Sequence, residues 1–357
     1  METYVRELAQ SLQDDFDLHV LAHSRDSASQ EEFPGNFRLR RCGTWFNALS
    51  QPFSPSMASE LRRLAPDLVH LNAPNAFATA CWAGLARSSR LLITHHADVI
   101  GRRVAKFAYQ PLYAHAVARA RRVIVFSKKN AAASIDLPDV GNRLIEIPQG
   151  LDPALFACDE TARAKAFALR RSHCGDAPLA LFIGRLIGYK GLDVLLKAAV
   201  LTPGLHVAIA GDGPLRADLA AQIARAGLGD RVHLLGAVEE SVKLQLLQSA
   251  DLFVLPSVSN AEAFGIVQVE AQMCGLPIVA SNLPTGVTDV TVDGQTGLLV
   301  PPGDAPALAR AMAQIIADKS SAAQMGEAGQ RRALERFSRT AFASANRALF
   351  RCVAEEA

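Results

Sequence analysis

Short apolar runs alternate with helical patterns along almost the whole chain, and this alternation restricts the fold more than any other feature. In the first half, strands are predicted at 18–22, 68–71, 91–94, 123–126 and 144–147. Helical patterns at 5–12, 74–87 and 110–120 lie between them. In the second half, strands are predicted at 179–183, 206–210, 232–235, 252–255, 278–280 and 297–300. The helices there are predicted at 191–199, 214–226, 242–249, 265–273 and 305–317. Runs that are apolar throughout, without polar alternation, suit strands buried on both faces, which is the habit of parallel sheets. Helices between them supply right-handed crossovers.

The series occurs twice, and Pro148, Gly150 and Pro153 interrupt it in the middle. A length of 357 residues also fits two domains. The expected fold is therefore α/β, with two doubly wound Rossmann-like domains at 1–150 and 151–337, and ligands held beyond the carboxyl ends of the strands and in the cleft between the domains. Residues 338–357 form a last helical pattern, apolar at Phe342, Ala345, Leu349 and Val353. With no strand of its own to cover, it is expected to pack back toward the first domain. The chain opens directly in a helix, 2–12, with no strand or glycine-rich turn before it.

Composition narrows the classes of function. Residues 1–150 hold 18 Lys+Arg against 14 Asp+Glu, so the first half is slightly basic. The six cysteines are scattered without a CxxC pair, which suits free thiols in a reducing compartment better than a disulfide framework or a zinc site. No apolar run approaches the 18 or so residues of a membrane span, and the polar first 20 residues do not read as a signal peptide. A cytoplasmic location is expected, with room for peripheral attachment to the inner face of the plasma membrane.

Four segments carry chemistry. GRLIGYKG, 184–191, runs from a strand end to a helix start. It places Arg185 and Lys190 beside free helix N–H groups, a combination suited to a diphosphate. AGDGPLR, 210–216, puts Gly211 and Gly213 after the next strand, where a backbone can approach a ligand closely. It is not a full GxGxxG, which argues against a dinucleotide fingerprint and a dehydrogenase. The third segment, 259–281, places Glu262 before a helix that opens near Gly265 and carries Glu270 inside it. Glu270 is suited to hold two ribose hydroxyls. In the first domain, ITHHADVIGRR, 93–103, places His95, His96 and Asp98 on a loop after a strand. Each segment has a plainer reading: a solvated basic loop, a tight turn, a helix cap, or a histidine satisfied by Asp98. Finally, residues 99–135 hold no acidic side chain, and include Arg102, Arg103, Lys106, Lys128 and Lys129. That patch suits anionic lipid head groups or a diphosphate-linked acceptor, or it is simply a solvated basic face. Its aromatic residues are not interleaved as single-stranded nucleic-acid binding requires, so no nucleic-acid partner is expected.

GRLIGYKG, AGDGP and the Glu-x7-Glu stretch EAFGIVQVE together resemble the donor site of family-4 retaining glycosyltransferases with the GT-B fold. The resemblance extends over nearly the whole chain, from ETYVRELAQSL through IPQGLDPALF to LPTGVTDVTVDGQTGLLVPPGD. It implies that Arg185 and Lys190 hold the diphosphate of a nucleotide-sugar donor, that Glu262 contacts the transferred sugar and that Glu270 holds the ribose. Backbone N–H groups of Phe264, Gly265 and Ile266 would bind sugar and phosphate, and His96 would lie near the sugar. Asp98, Arg102 and Arg103 are the acceptor-side candidates, for a hydroxyl acceptor that can be lipid-linked. No cofactor and no metal are expected, because no DxD-like clamp accompanies these motifs. The expected function is transfer of a hexose-type sugar in polysaccharide, lipopolysaccharide or glycolipid assembly.

Members of that family normally begin with a strand and a Gly-Gly turn. This sequence is expected to lack both, and reading the genomic sequence upstream of Met1 would show whether they are encoded there. The rival expectations are a truncated, non-catalytic nucleotide-sugar-binding protein and, further off, a sugar-nucleotide epimerase of the same architecture.

Overall fold

A computed structural model of the chain describes residues 2–48, 51–86, 89–99 and 103–356. It forms two compact units, Met1–Gly150 with Arg339–Ala357, and Leu151–Ser338.

The first unit begins with α1 (Glu2–Leu12), β1 (His19–His23), β2 (Gln30–Glu32), β3 (Arg38–Cys42) and a hairpin of β4 (Phe46–Ala48) and β5 (Gln51–Phe53). It continues with α2 (Pro55–Leu64), β6 (Leu68–Ala73), α3 (Ala76–Leu85), β7 (Arg90–His95), α4 (Arg103–Arg119), β8 (Arg122–Val125), α5 (Lys128–Ala132) and β9 (Leu144–Glu146). Strands β6, β7, β8 and β9 pair in parallel in that order. Strands β1, β3 and β2 form a separate small sheet, in which β2 runs antiparallel.

Successive side chains of a strand point to opposite faces, so each central strand feeds two cores. Leu91, Ile93 and Val123 join Trp82, Tyr109 and Tyr113 on one face. Leu92 and Ile124 join Tyr4, Leu8 and Leu12 of α1 on the other. The last helix of the chain, Arg339–Glu355, lies on that second face, where Phe342, Phe350 and Val353 complete the core. Its outer side carries Arg347 and Arg351, both paired with Asp15. Phe342 is almost fully buried there. Phe342→Ala is expected to destabilise this unit by about 3–5 kcal/mol, through lost transfer energy and the cavity left behind, read as a shifted midpoint in chemical denaturation.

The second unit contains α6 (Glu160–Cys174), β10 (Leu179–Ile183), α7 (Leu192–Leu201), β11 (His206–Ala210), α8 (Arg216–Arg225), β12 (Val232–Gly236) and α9 (Glu240–Ser249). Then follow β13 (Leu252–Leu255), α10 (Ile266–Met273), β14 (Ile278–Ser281), α11 (Val287–Val290), β15 (Gly297–Val300), α12 (Ala305–Ala317) and α13 (Lys319–Arg336). The last helix of the chain is thus α14. The six strands form one parallel sheet in the order β12-β11-β10-β13-β14-β15. Ala180 and Phe182 face α7 and α12, while Leu179, Leu181 and Ile183 face α9 and α10. Helix starts are fixed locally: Asp159, Asp304 and Asp318 each accept a backbone N–H from the first turn of α6, α12 and α13.

The structure adds elements that the hydrophobic pattern does not indicate. Strand β2 is wholly polar and mostly exposed, and β3 is mostly arginine and only partly buried, so neither produces an apolar run. Helices α2, α6 and α13 are rich in polar residues and bury only a narrow stripe. Among the described residues, no helix is long and apolar enough to cross a membrane.

Candidate functional site

In the second unit the strand order reverses at β10, which has β11 on one side and β13 on the other. Crossovers leave in opposite directions from such a point, so the loops beyond its carboxyl end diverge and open a binding crevice. The loops concerned are 184–191 after β10 and 256–265 after β13. The two strands run in parallel register, Ala180 beside Leu252 and Leu181 beside Phe253, so both loops leave the sheet at one height.

Backbone contacts join these loops tightly. The Val258 N–H donates to the Tyr189 carbonyl at 2.8 Å. Gly191 adopts a left-handed φ of 66° and lies so close to Pro256 that an added Cβ would sit 2.0 Å from its carbonyl oxygen. On the other side, Leu186 N–H donates to the Asp212 carbonyl at 3.0 Å and Leu215 N–H to the Leu186 carbonyl at 3.2 Å. A Cβ on Gly211 would lie 1.9 Å from the Gly184 carbonyl oxygen, and one on Gly213 would lie 2.5 Å from that of Leu186. Gly211 and Gly213 therefore have a packing reason to be glycine: they let neighbouring loops touch.

This stitching brings Lys190 onto Glu262. The Lys190 Nζ lies 2.6 Å from Glu262 Oε2, and the Ser257 hydroxyl donates to the same oxygen at 2.7 Å. Ser257 is fully buried, and the Lys190 and Glu262 side chains are 12% and 7% exposed. The pair is thus largely withdrawn from water, where it interacts strongly and its components are costly to separate. Arg185 differs: it is exposed and has no partner among the described residues. Three residues beyond Glu262, Gly265 takes a left-handed φ of 67° and opens α10 without a side-chain cap. The N–H groups of Phe264, Gly265 and Ile266 donate to nothing among the described residues, so a free, partly positive helix terminus borders the pair. The Phe264 ring itself is buried edge-on against Phe337.

Glu270 sits further along α10, and its Oε1 meets Lys243 of α9 at 3.1 Å. Lys243 also reaches Glu240 Oε2 at 2.7 Å. Burial pushes the Glu270 carboxyl above its ordinary range, while Lys243 pulls against that shift. Its other oxygen, Oε2, is buried without a hydrogen-bond partner.

In the first unit the two adjacent histidines part company. His95 is buried, with Nδ1 2.8 Å from the Tyr113 hydroxyl and Nε2 3.4 Å from Asp98. His96 is half-buried between Tyr4 and Phe126, and its Nε2–H donates to Asn72 Oδ1 at 2.9 Å. That leaves Nδ1 as an acceptor. Burial above all pushes the His96 pKa down to about 3, so the ring is neutral near pH 7. Asp98 is committed: Ser134 donates to Oδ1 and the Ile135 N–H to Oδ2. Burial opposes its ionisation, but hydrogen bonds from His95, Ser134 and Ile135 outweigh it and hold the carboxyl well below the usual range. Asp98 thus satisfies His95 rather than His96 and ties the 95–99 loop to 134–135. Arg102 lies outside the described residues, as does the Arg103 side chain, whose backbone opens α4.

The structure therefore gathers Lys190, Glu262 and the α10 N-terminus into one place, and sets Arg185 exposed on the same loop as Lys190. Sequence reading missed Ser257, Lys243 and Asn72. Lys243 gave a faint signal, since Glu240 stands three residues before it on a helix, whereas nothing around Ser257 or Asn72 distinguishes them. Among the described residues, no group of three or more His, Cys, Asp or Glu side chains is arranged to hold a metal ion.

Comparison with known proteins shows the family to which the chain belongs. The family described as Glycosyl transferases group 1 matches residues 170–332, and Glycosyltransferase Family 4 matches residues 1–155. D-rhamnosyltransferase WbpZ of Pseudomonas aeruginosa is 32% identical over 318 residues, which is 88% of this chain and 82% of that protein. O-antigen chain mannosyltransferase C of Escherichia coli is 28% identical, over 82% of this chain and 77% of its own. Among solved structures, sucrose-phosphate synthase from Thermosynechococcus elongatus superposes with a TM-score of 0.76 at 25% identity, covering 98% of this chain and 92% of its own. Anabaena HepE in complex with UDP shares the fold at a TM-score of 0.79 and 22% identity, covering 98% and 96%.

Proposed function

Since the chain belongs to the group 1 glycosyl transferases and has the GT-B fold, we propose that this transferase moves a hexose-type sugar, with retention, from a nucleoside-diphosphate sugar to a hydroxyl acceptor. The observation that carries the reading is the buried Lys190–Glu262 pair beside the uncapped N-terminus of α10. It combines a cation and free N–H groups for a leaving diphosphate with a carboxylate for sugar hydroxyls. Relatives named as O-antigen and rhamnosyl transferases, and the complex of Anabaena HepE with UDP, support the same substrate class. Assembly of a polysaccharide, lipopolysaccharide or glycolipid is the proposed setting, with a lipid-linked acceptor and peripheral membrane contact through the basic 99–135 region as parts of that proposal.

In this mechanism Arg185, Lys190 and the N–H groups of Phe264, Gly265 and Ile266 stabilise charge building on the departing phosphate. Glu262, held by Ser257, accepts hydrogen bonds from the sugar. No protein carboxylate acts as nucleophile. The acceptor hydroxyl attacks on the face from which the diphosphate leaves, and the leaving phosphate takes its proton. His96, neutral and with Nδ1 free to accept, is a hydrogen-bonding group for a hydroxyl rather than a proton shuttle. Divalent metal is not part of the proposal.

The test is transfer from a panel of uridine, guanosine and adenosine diphosphate sugars, with product configuration read by NMR. The expected product keeps the donor's anomeric configuration; an inverted product sinks the retaining mechanism, and loss of turnover in EDTA sinks the metal-free one. A related expectation concerns pH. Because the His96 pKa lies near 3, the rate profile between about pH 5 and 8 should carry no limb that vanishes in His96→Asn enzyme. Finding such a limb would restore His96 as a titrating base.

A further inference from the structure

Glu270 is a buried carboxylate whose two oxygens have different surroundings. Oε1 is taken by Lys243, and Oε2 is buried with no donor facing it. A buried acceptor left unmet costs about 1–3 kcal/mol, and such an atom calls for a partner outside the protein. The groups facing Glu270 are few. Lys243 reaches it from α9 and is gripped from its other side by Glu240, which is largely exposed. Cys274 caps the end of α10, four residues beyond Glu270, and Cys158 comes close to it. The Cys274 thiol is pushed up to about 12, by burial first and by the Glu270 charge next, so it brings no charge near pH 7.

We propose that Lys243 is a positioning residue of the donor site, occupying one oxygen of Glu270 and keeping the carboxylate ionised so that the other oxygen is presented to the two ribose hydroxyls of the nucleoside diphosphate. This rests on the reading of Glu270 as the ribose holder. The geometry suits the task. Lys243 is itself largely buried and lies between Glu240 and Glu270, with its charge set against one oxygen of Glu270. Without it, Glu270 would sit in an apolar setting with no cation beside it among the described residues. Protonation would then begin at a higher pH and would convert the free acceptor into a hydroxyl. The sign is fixed by the direction of that shift: ribose holding is complete above the Glu270 pKa and is lost as pH falls through it.

The experiment compares wild-type, Lys243→Met, Lys243→Arg and Glu270→Gln proteins, all checked for an unchanged melting profile. Affinities for uridine and guanosine diphosphate, and for inorganic pyrophosphate, are measured by calorimetry from about pH 6 to 9. Lys243→Met is expected to weaken nucleoside diphosphate binding by about tenfold near pH 6.5, because burial without the cation raises the Glu270 carboxyl further. The deficit should shrink as pH rises, pyrophosphate affinity should not change, and Lys243→Arg should restore most of the binding. A loss that is equal at every pH and shared by pyrophosphate would overturn the proposal in favour of general damage to the site. Unchanged nucleotide affinity in Lys243→Met, with Glu270→Gln weakened, would overturn the Lys243 role alone. Unchanged affinity in Glu270→Gln would remove the ribose reading itself, and the Lys243 role with it.

Discussion

Lys190→Ala protein is expected to lose about 100- to 1,000-fold in kcat/KM for sugar transfer, the usual effect of removing one group that stabilises transition-state charge. The structure predicts a second loss in the same variant. Glu262 is nearly fully buried and shares its Oε2 between Lys190 and Ser257. Taking away the cation leaves a buried carboxylate held by one hydroxyl, and breaking such a pair costs about 3–5 kcal/mol. The two losses separate by measurement. Kinetics at a temperature where the variant is fully folded report the catalytic part, and the shift in melting temperature reports the structural part. Lys190→Arg should recover much of the stability and little of the rate, because a guanidinium fork does not occupy the position of a compact ammonium. Undiminished turnover in Lys190→Ala would remove the diphosphate assignment.

Gly191→Ala is expected to be as damaging without touching a polar group. The residue adopts a left-handed φ of 66°, where an L side chain is strained, and its new Cβ would stand 2.0 Å from the Pro256 carbonyl oxygen. Neither loop can yield freely, since Val258 N–H is bonded to Tyr189 just beside the contact. The expected cost is about 2–4 kcal/mol, seen as a drop on the order of 5–15 °C in the melting of the second unit, with donor affinity falling because Lys190 and Glu262 are pushed apart. Gly188→Ala is the matched control. An added Cβ there meets nothing within 4 Å, so stability and affinity should be close to wild type. If the two alanine variants behave alike, the stitching of these loops is not what holds the site.

How much of this could be read in advance differs sharply between the units. Strands β10, β13 and β14 are buried at every position and apolar but for Ser281 at the end of β14, and their bounds were legible to within a residue. Strands β2 and β3 are partly exposed and polar, and the hairpin β4–β5 is short, so pattern reading found only β1, whose centre is apolar. The glycines of GRLIGYKG and AGDGP were legible as loop residues, but their reason was not. Gly191 and Gly211 answer to carbonyl groups of Pro256 and Gly184, positions remote in sequence, which only the sheet brings alongside. His95 and His96 looked equivalent on the page. A strand's alternation sends His95 to Tyr113 and Asp98, and leaves His96 to Asn72.

The sequence by itself determined the doubly wound second unit, because continuous burial on both faces of a parallel strand forces a continuous apolar run. It also supplied the chemical inventory of the candidate site, since Arg185, Lys190, Glu262 and Glu270 are set in segments whose helix starts and glycines are local signals. The tertiary structure alone decided which of them meet. Lys190 and Glu262 stand 72 residues apart, and they become an ion pair because β10 and β13 are neighbours in register at the point where the strand order reverses. Ser257, Lys243 and the unmet oxygen of Glu270 belong to that same level, because hydrogen-bond partnership in a folded chain depends on distance in space, which no pattern along the chain encodes.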